Sequence, residues 1–155
     1  MSERRRTLVL GVGNRDRGDD GVGPAVIDRL KTLENDTATV REAPADASAI
    51  IAAWEGFSRV ILVDACRSGA LAGSIRRIDA ASEELPSDPP GCSTHGFGLA
   101  AAINLARAMG TLPEQVVVYA VEAETLDHGA PLSPAVEAAA VTVADRVANE
   151  LVAAT

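Results

Sequence analysis

The chain has 155 residues, 47% of them hydrophobic and 23% charged, with a formal net charge of −8. That length holds one well-packed domain, and a composition without low-complexity tracts argues against disorder. The acidic balance excludes electrostatic binding to nucleic acid or to an anionic membrane, because both need a basic face.

Residues 1–6 read as a frayed, solvated end. The short apolar run after Arg6 ends in glycines and charges, unlike a secretory leader, and no stretch reaches the roughly 18 apolar residues of a membrane span. Two cysteines, Cys66 and Cys92, are too few for a disulfide scaffold. A cytoplasmic monomer of a single domain, 1–155, is the expectation. If both cysteines border the site, oxidation could link them.

Thr7–Val12 (TLVLGV) is a continuous apolar run, the pattern of a strand covered on both faces. Gly23–Leu33 follows with Val26, Ile27, Leu30 and Leu33 on one helical face. Ala38–Arg41 reads as a weaker strand. Asp46 or Ser48 can cap a helix running to Trp54, with Ile50, Ile51 and Trp54 inward. Val60–Val63 repeats the buried-strand pattern, and Ser74–Ile78, carrying Arg76 and Arg77, reads as a partly exposed edge. Residues 80–95 form one long irregular stretch, of the kind that tends to be functional. Phe97–Met109 reads as a helix with Leu99, Ile103, Leu105 and Ala106 apolar, stopped at Gly110. Val116–Val121 is a third buried strand, and Ser133-Pro134 opens a last helix to about Ala153. Strands alternating with helices imply an α/β three-layer sandwich: a mostly parallel, twisted, five-stranded sheet with helices on both faces.

In such sheets ligands bind beyond the carboxyl ends of the strands. The first strand delivers Asn14, Asp19 and Asp20, the third Asp64, and the last Glu122 and Glu124; His95 precedes the Phe97 helix. Gly11-Val12-Gly13 resembles the start of a dinucleotide fingerprint. The third glycine falls on Asp16, however, and a pyrophosphate there would meet Asp19 and Asp20, so a dinucleotide-binding module is a remote alternative. Two carboxylates and an imidazole instead make an oxygen–oxygen–nitrogen set suited to a borderline divalent cation. Structural roles stand beside that reading: Asp19 or Asp20 could cap a helix, Asp64 could tie down a loop, and His95 could be a plain helix-entry residue. His128 is expected to be exposed, and Trp54 to be core.

The segments GVGNRDRGDDGVG (Gly11–Gly23), ILVDACRSG (Ile61–Gly69), STHGFGL (Ser93–Leu99) and VVVYAVEAETLDHGAPLSPAV follow one another in a familiar order. Together they resemble the hydrogenase maturation proteases, endopeptidases that trim the C-terminal extension of the nickel–iron hydrogenase large-subunit precursor just after its nickel-binding cysteine motif. The resemblance implies that Asp20, Asp64 and His95 contact the metal and carry the catalysis. It also implies that the metal is nickel arriving with the substrate rather than a resident cofactor, although another divalent ion such as zinc or cadmium could occupy the site. The loop residues Gly13, Asn14, Asp19, Gly21, Asp46 and Thr94 are expected to border the substrate, with Gly21 and Gly23 letting its backbone come close. Family members often carry a glycine- and threonine-containing turn after the second strand; here the stretch is Ala43–Ser48 (APADAS).

Two mechanisms follow from the resemblance. Nickel polarises the scissile carbonyl and activates a water, or it only docks the precursor while Asp20 or Asp64 acts as general base. A non-catalytic checkpoint protein for the nickel-loaded precursor is the alternative from another class, separated from the peptidase by product mass alone.

Overall fold

The structure, a computed structural model, describes residues 6–33, 37–83 and 97–153. Its strands are β1 (Thr7–Val12), β2 (Thr39–Ala43), β3 (Arg59–Cys66), β4 (Ile75–Asp79) and β5 (Gln115–Glu122). Its helices are α1 (Val22–Thr32), α2 (Ala47–Trp54), α3 (Phe97–Met109) and α4 (Pro134–Ala153). Among the described residues the strands form one sheet in the order β2-β1-β3-β5-β4, parallel except for the antiparallel edge β4.

Side chains alternate across each strand, so a strand buried on both faces needs apolar residues at consecutive positions. Val9, Ile61, Val63 and Tyr119 pack with Val26, Ile27, Val143 and Val147 of α1 and α4. Leu8, Leu10, Leu62 and Val118 pack on the other face with Ile50, Trp54, Leu99 and Ile103 of α2 and α3. Each such fully buried aliphatic side chain contributes roughly 1.5–3 kcal/mol. The edges are more polar, as expected: Arg76 and Arg77 on β4 are exposed.

Several expectations shift. Leu33 is 47% exposed because the helix ends at Thr32 and Leu33 lies past the inward stripe. Leu105 is 49% exposed rather than core, since Leu99, Ile103 and Ala106 keep the i, i+4, i+7 face and Leu105 falls about 130° from its centre. Asp46, not Ser48, caps α2, accepting a hydrogen bond from the Ser48 N–H at 2.8 Å. A short 3-10 turn, Gly18–Gly21, precedes α1.

Gly23 explains why α1 can start so close to the sheet. A Cβ there would stand 2.7 Å from the N and O of Val12 and the O of Val63. The expected approach of substrate backbone at Gly23 is therefore corrected: the backbone that needs the space is that of β1 and β3. Gly23→Ala is expected to destabilise the protein by about 1–3 kcal/mol through overpacking against backbone that cannot yield. Urea denaturation monitored by circular dichroism gives that difference directly.

The far end of α4 is tied down by a polar cluster. Arg77 donates to Glu150 Oε1 at 2.5 Å, and the Tyr119 hydroxyl donates to Glu150 Oε2. Burial and the adjacent carboxylate push the Tyr119 hydroxyl up to about 12.

Candidate active site

The loop after β1 folds back over its own strand end. Gly13 adopts φ +141°, and a Cβ on it would lie 2.0 Å from the Asp20 carbonyl oxygen. Only glycine fits such a contact, and φ in this range further disfavours any side chain. The Gly13 N–H donates to the Ala43 carbonyl at 3.0 Å, fixing the loop beside the end of β2. Asn14 closes the turn: its side-chain oxygen accepts from the Asp16 N–H at 2.8 Å, the local bond expected of an Asx turn. Its backbone N–H donates to Asp20 Oδ2 at 3.0 Å. Asp20 is thereby held over the β1 carboxyl end, 3% exposed.

Asp64 lies inside β3, paired with Ala120 of β5, rather than just beyond the strand. Alternation from Val60 and Leu62 sends its side chain to the α2/α3 face, where it is 3% exposed. The 3-10 turn that carries Asp20 packs against this same strand. The structure therefore brings two buried carboxylates to neighbouring strand ends. His95, Thr94 and Cys92 lie outside the described residues. Gly98, at the start of α3, stacks on the loop before α2, where a Cβ would come 2.3 Å from the Ala45 carbonyl oxygen. Asp46 sits in that same loop, exposed, with its side chain engaged in the α2 cap.

Asp19 departs from its expected place at the substrate. Its carboxylate is fully buried and turned inward. It accepts from the N–H groups of Glu124 (2.8 Å), Thr125 (3.1 Å) and Ser133 (2.7 Å), and from the Ser133 hydroxyl (2.9 Å). Burial alone would raise the carboxyl pKa; the bonds from Ser133, Thr125 and Glu124 outweigh it and hold the group below the usual carboxylate range. Asp19 thus clasps the loop after β5 to the loop after β1. Backbone bonds extend the clasp, from the Gly18 N–H to the Ala130 carbonyl (3.0 Å) and from the Gly129 N–H to the Asp16 carbonyl (2.7 Å). Gly21 is buried, with Arg15 Cα 3.4 Å from where its Cβ would be, an ordinary van der Waals contact.

Arg15 stands at the rim with side-chain bonds to Asp28 (2.7 and 2.8 Å) and Glu42 (2.9 and 2.8 Å), bridging α1 and β2. These partners raise its already high pKa. Being half exposed, the network adds little stability but fixes the loop's outer edge. His128 is exposed, as expected.

Glu122, at the end of β5, is a further buried carboxylate, 4% exposed. It accepts from the Ser68 N–H (3.0 and 3.1 Å), the Ser68 hydroxyl (2.5 Å) and the Cys66 thiol (3.8 Å). Its binding role was not readable from sequence, because Ser68 and Cys66 are brought to it by the β3–β5 pairing. A surface cavity of about 460 Å³ bounded by Arg59, Arg77, Asp79 and Glu114 lies at the opposite end of the parallel strands. Its two cations face two anions, so it offers no excess charge to recruit an ion.

The arrangement among the described residues is a pair of buried carboxylates, Asp20 and Asp64, at neighbouring strand ends, where a phosphate would meet like charge. A scan of protein families matches residues 24–150 to the hydrogenase maturation protease family (HycI), a span that holds Asp64 and His95 and begins just beyond Asp20. No curated protein sequence matches the chain. Among solved structures, the hydrogenase maturating endopeptidase HybD from Escherichia coli aligns over 96% of this chain and 93% of its own, with 23% identity and a TM-score of 0.78. The hydrogenase maturation protease HybD from Thermococcus kodakarensis aligns over 94% and 98%, with 24% identity and a TM-score of 0.72. The hydrogenase 2 maturation peptidase from a Thaumarchaeota archaeon aligns over 94% and 97%, with 28% identity and a TM-score of 0.70.

Proposed function

Because the chain belongs to the hydrogenase maturation protease family and is a peptidase, we propose that it removes the C-terminal extension of a nickel–iron hydrogenase large-subunit precursor by gripping the precursor's nickel with Asp20, Asp64 and His95. The observation that carries this reading is the burial of Asp20 and Asp64 at the carboxyl ends of adjacent strands. Buried anions so placed are costly, and a divalent cation brought between them offsets that cost. An imidazole nitrogen added to two carboxylate oxygens suits nickel or zinc better than a hard ion, which prefers oxygen alone.

Gly98, three positions after His95 in the sequence, rests on the Ala45–Asp46 loop. The α3 helix that follows covers the face to which Asp64 points.

Nickel is cargo of the substrate in this reading, and it would serve as a Lewis acid toward the scissile carbonyl. The protein's own share is to orient: Asp20 is held rigid by the Asn14 N–H, and Asp64 by the strand. In this reading either carboxylate would take a proton from the attacking water. A carboxylate base makes this an aspartyl-type endopeptidase that activates its client by processing it. Its acidic surface fits a cytoplasmic monomer that meets the precursor after nickel insertion, and among the described residues no helix is long and apolar enough to cross a membrane.

Mass spectrometry of a nickel-loaded precursor incubated with the protein tests the reaction. A single C-terminal peptide should be lost, and the metal-free precursor should stay whole. Complex formation without loss of mass would instead make the protein a checkpoint that does not cut.

A further inference from the structure

Asp20 is carried by the 3-10 turn Gly18–Gly21, which is four residues long. Hydrogen-bond geometry in such a turn is poor, so the turn cannot fix a side chain unaided. Its surroundings fix it. Gly13 closes against the Asp20 carbonyl, and the turn is bonded into the loop after β5. There the Asp19 N–H donates to the Thr125 carbonyl at 2.9 Å, the Gly18 N–H to the Ala130 carbonyl, and Arg17 Nε to the Leu126 carbonyl at 3.1 Å. A Cβ on Gly18, where φ is +55°, would come 2.7 Å from the Thr125 carbonyl oxygen, so the two loops lie flush.

The Asp19 carboxylate is the centre of that contact. Ser133 gives it both an N–H and a hydroxyl, and stands immediately before α4, whose first turn it closes by accepting from the Glu137 N–H at 2.9 Å. The helix is twenty residues long and packs on α1 and β5, so Ser133 is anchored to the core of the molecule. Three residues per turn set neighbouring side chains of a 3-10 helix about 120° apart, so the direction of Asp19 governs that of Asp20. With Asp19 drawn into the loop after β5, the Asp20 carboxylate is presented to the Asn14 N–H, which donates to it at 3.0 Å.

Resting on the peptidase reading above, we infer that Ser133 and Asp19 form a brace from α4 to the 3-10 turn that sets where the Asp20 carboxylate stands, and that both are positioning residues for the reaction. They act at one remove: Asp19 through the turn, Ser133 through Asp19. Misplacing a reacting group by about 1 Å costs on the order of 100-fold in rate. A clasp that holds one carboxylate by way of its neighbour therefore governs turnover as well as folding.

The test compares full-length wild type, Ser133→Ala, Asp19→Asn and Glu150→Gln by two readouts. One is kcat/KM on nickel-loaded precursor, taken per folded molecule well below the unfolding temperature. The other is amide proton NMR of the protein alone. The Asn14 amide proton, deshielded by its bond to the Asp20 carboxylate, should move upfield in both clasp variants. The Gly13 amide, bonded to the Ala43 carbonyl, should stay in place. The value of kcat/KM should fall roughly tenfold in Ser133→Ala, which loses one bond to Asp19, and on the order of 100-fold in Asp19→Asn. Glu150→Gln, which loosens the far end of α4, should change neither readout. Should Asp19→Asn fail to fold, Ser133→Ala decides. Either readout at its wild-type value in Ser133→Ala, or an equal change in Glu150→Gln, would overturn the inference and leave the clasp a matter of stability alone. If wild type binds the precursor without cutting it, the peptidase reading fails by itself, and the Asn14 amide still decides the brace.

Discussion

Asp20→Asn and His95→Ala variants are expected to leave the nickel-loaded precursor essentially uncut, with rates lower by a factor on the order of 100 to 10,000. The two substitutions act differently. An amide at position 20 keeps the volume and can still accept from the Asn14 N–H, 3.0 Å away in the parent, so the loop should stay folded. What it removes is the negative charge and the capacity to hold a cation or take a proton. His95→Ala removes the single nitrogen donor of the set. Folded, unreactive variants, shown by unchanged thermal unfolding beside lost cleavage on gels, are the predicted outcome. Unchanged cleavage by either variant would count against the site.

Asp19→Ala should instead strike stability. Truncation would leave the N–H groups of Glu124, Thr125 and Ser133 and the Ser133 hydroxyl without their acceptor in a buried clasp. Buried donors stripped of a charged acceptor cost about 1–3 kcal/mol each, so a loss of about 3–5 kcal/mol is expected even if some rehydrate. That is a large part of the roughly 5–15 kcal/mol available to a domain. Asp19→Asn should recover only part of it, since the amide nitrogen would face donors. The acid response carries a further signature. The folded Asp19 carboxyl ionises below its ordinary range, so its contribution is complete above the unfolded pKa of about 3.9 and fades as pH falls through the folded value. Urea titrations at neutral pH and at pH near 3 should show the difference between wild type and Asp19→Asn narrowing in acid. A constant difference would mean that charge on Asp19 is not what holds the clasp.

The architecture was largely legible in the sequence for a simple reason: strands covered on both faces are continuous apolar runs, and Thr7–Val12 and Val60–Val63 read as such. The cap at Asp46 and the edge character of β4 were legible for similarly local reasons. Strand order was not, because nothing local records that β5 inserts between β3 and β4. The same blindness explains the two carboxylates misjudged or unassigned. Asp19 looks like half of an acidic pair with Asp20, yet its partner Ser133 lies 114 positions away and is found only once the chain has folded. Glu122 was visible as a strand-end carboxylate, while its task of pinning Ser68 emerges from strand pairing. Gly23 was read as an opening for substrate because a glycine signals close approach without saying to what. Of the proposed metal set, Asp20 and Asp64 were picked out by their positions after apolar strands, and the structure buries both at that end of the sheet.

The account turns on whether three separate segments of the chain deliver their donors to one point. Anomalous diffraction from crystals soaked in nickel or cadmium measures that directly. One peak should appear, with an oxygen of Asp20, an oxygen of Asp64 and a ring nitrogen of His95 all within about 2.0–2.5 Å. A peak elsewhere, or a His95 ring too distant to share an ion with the two aspartates, would contradict it.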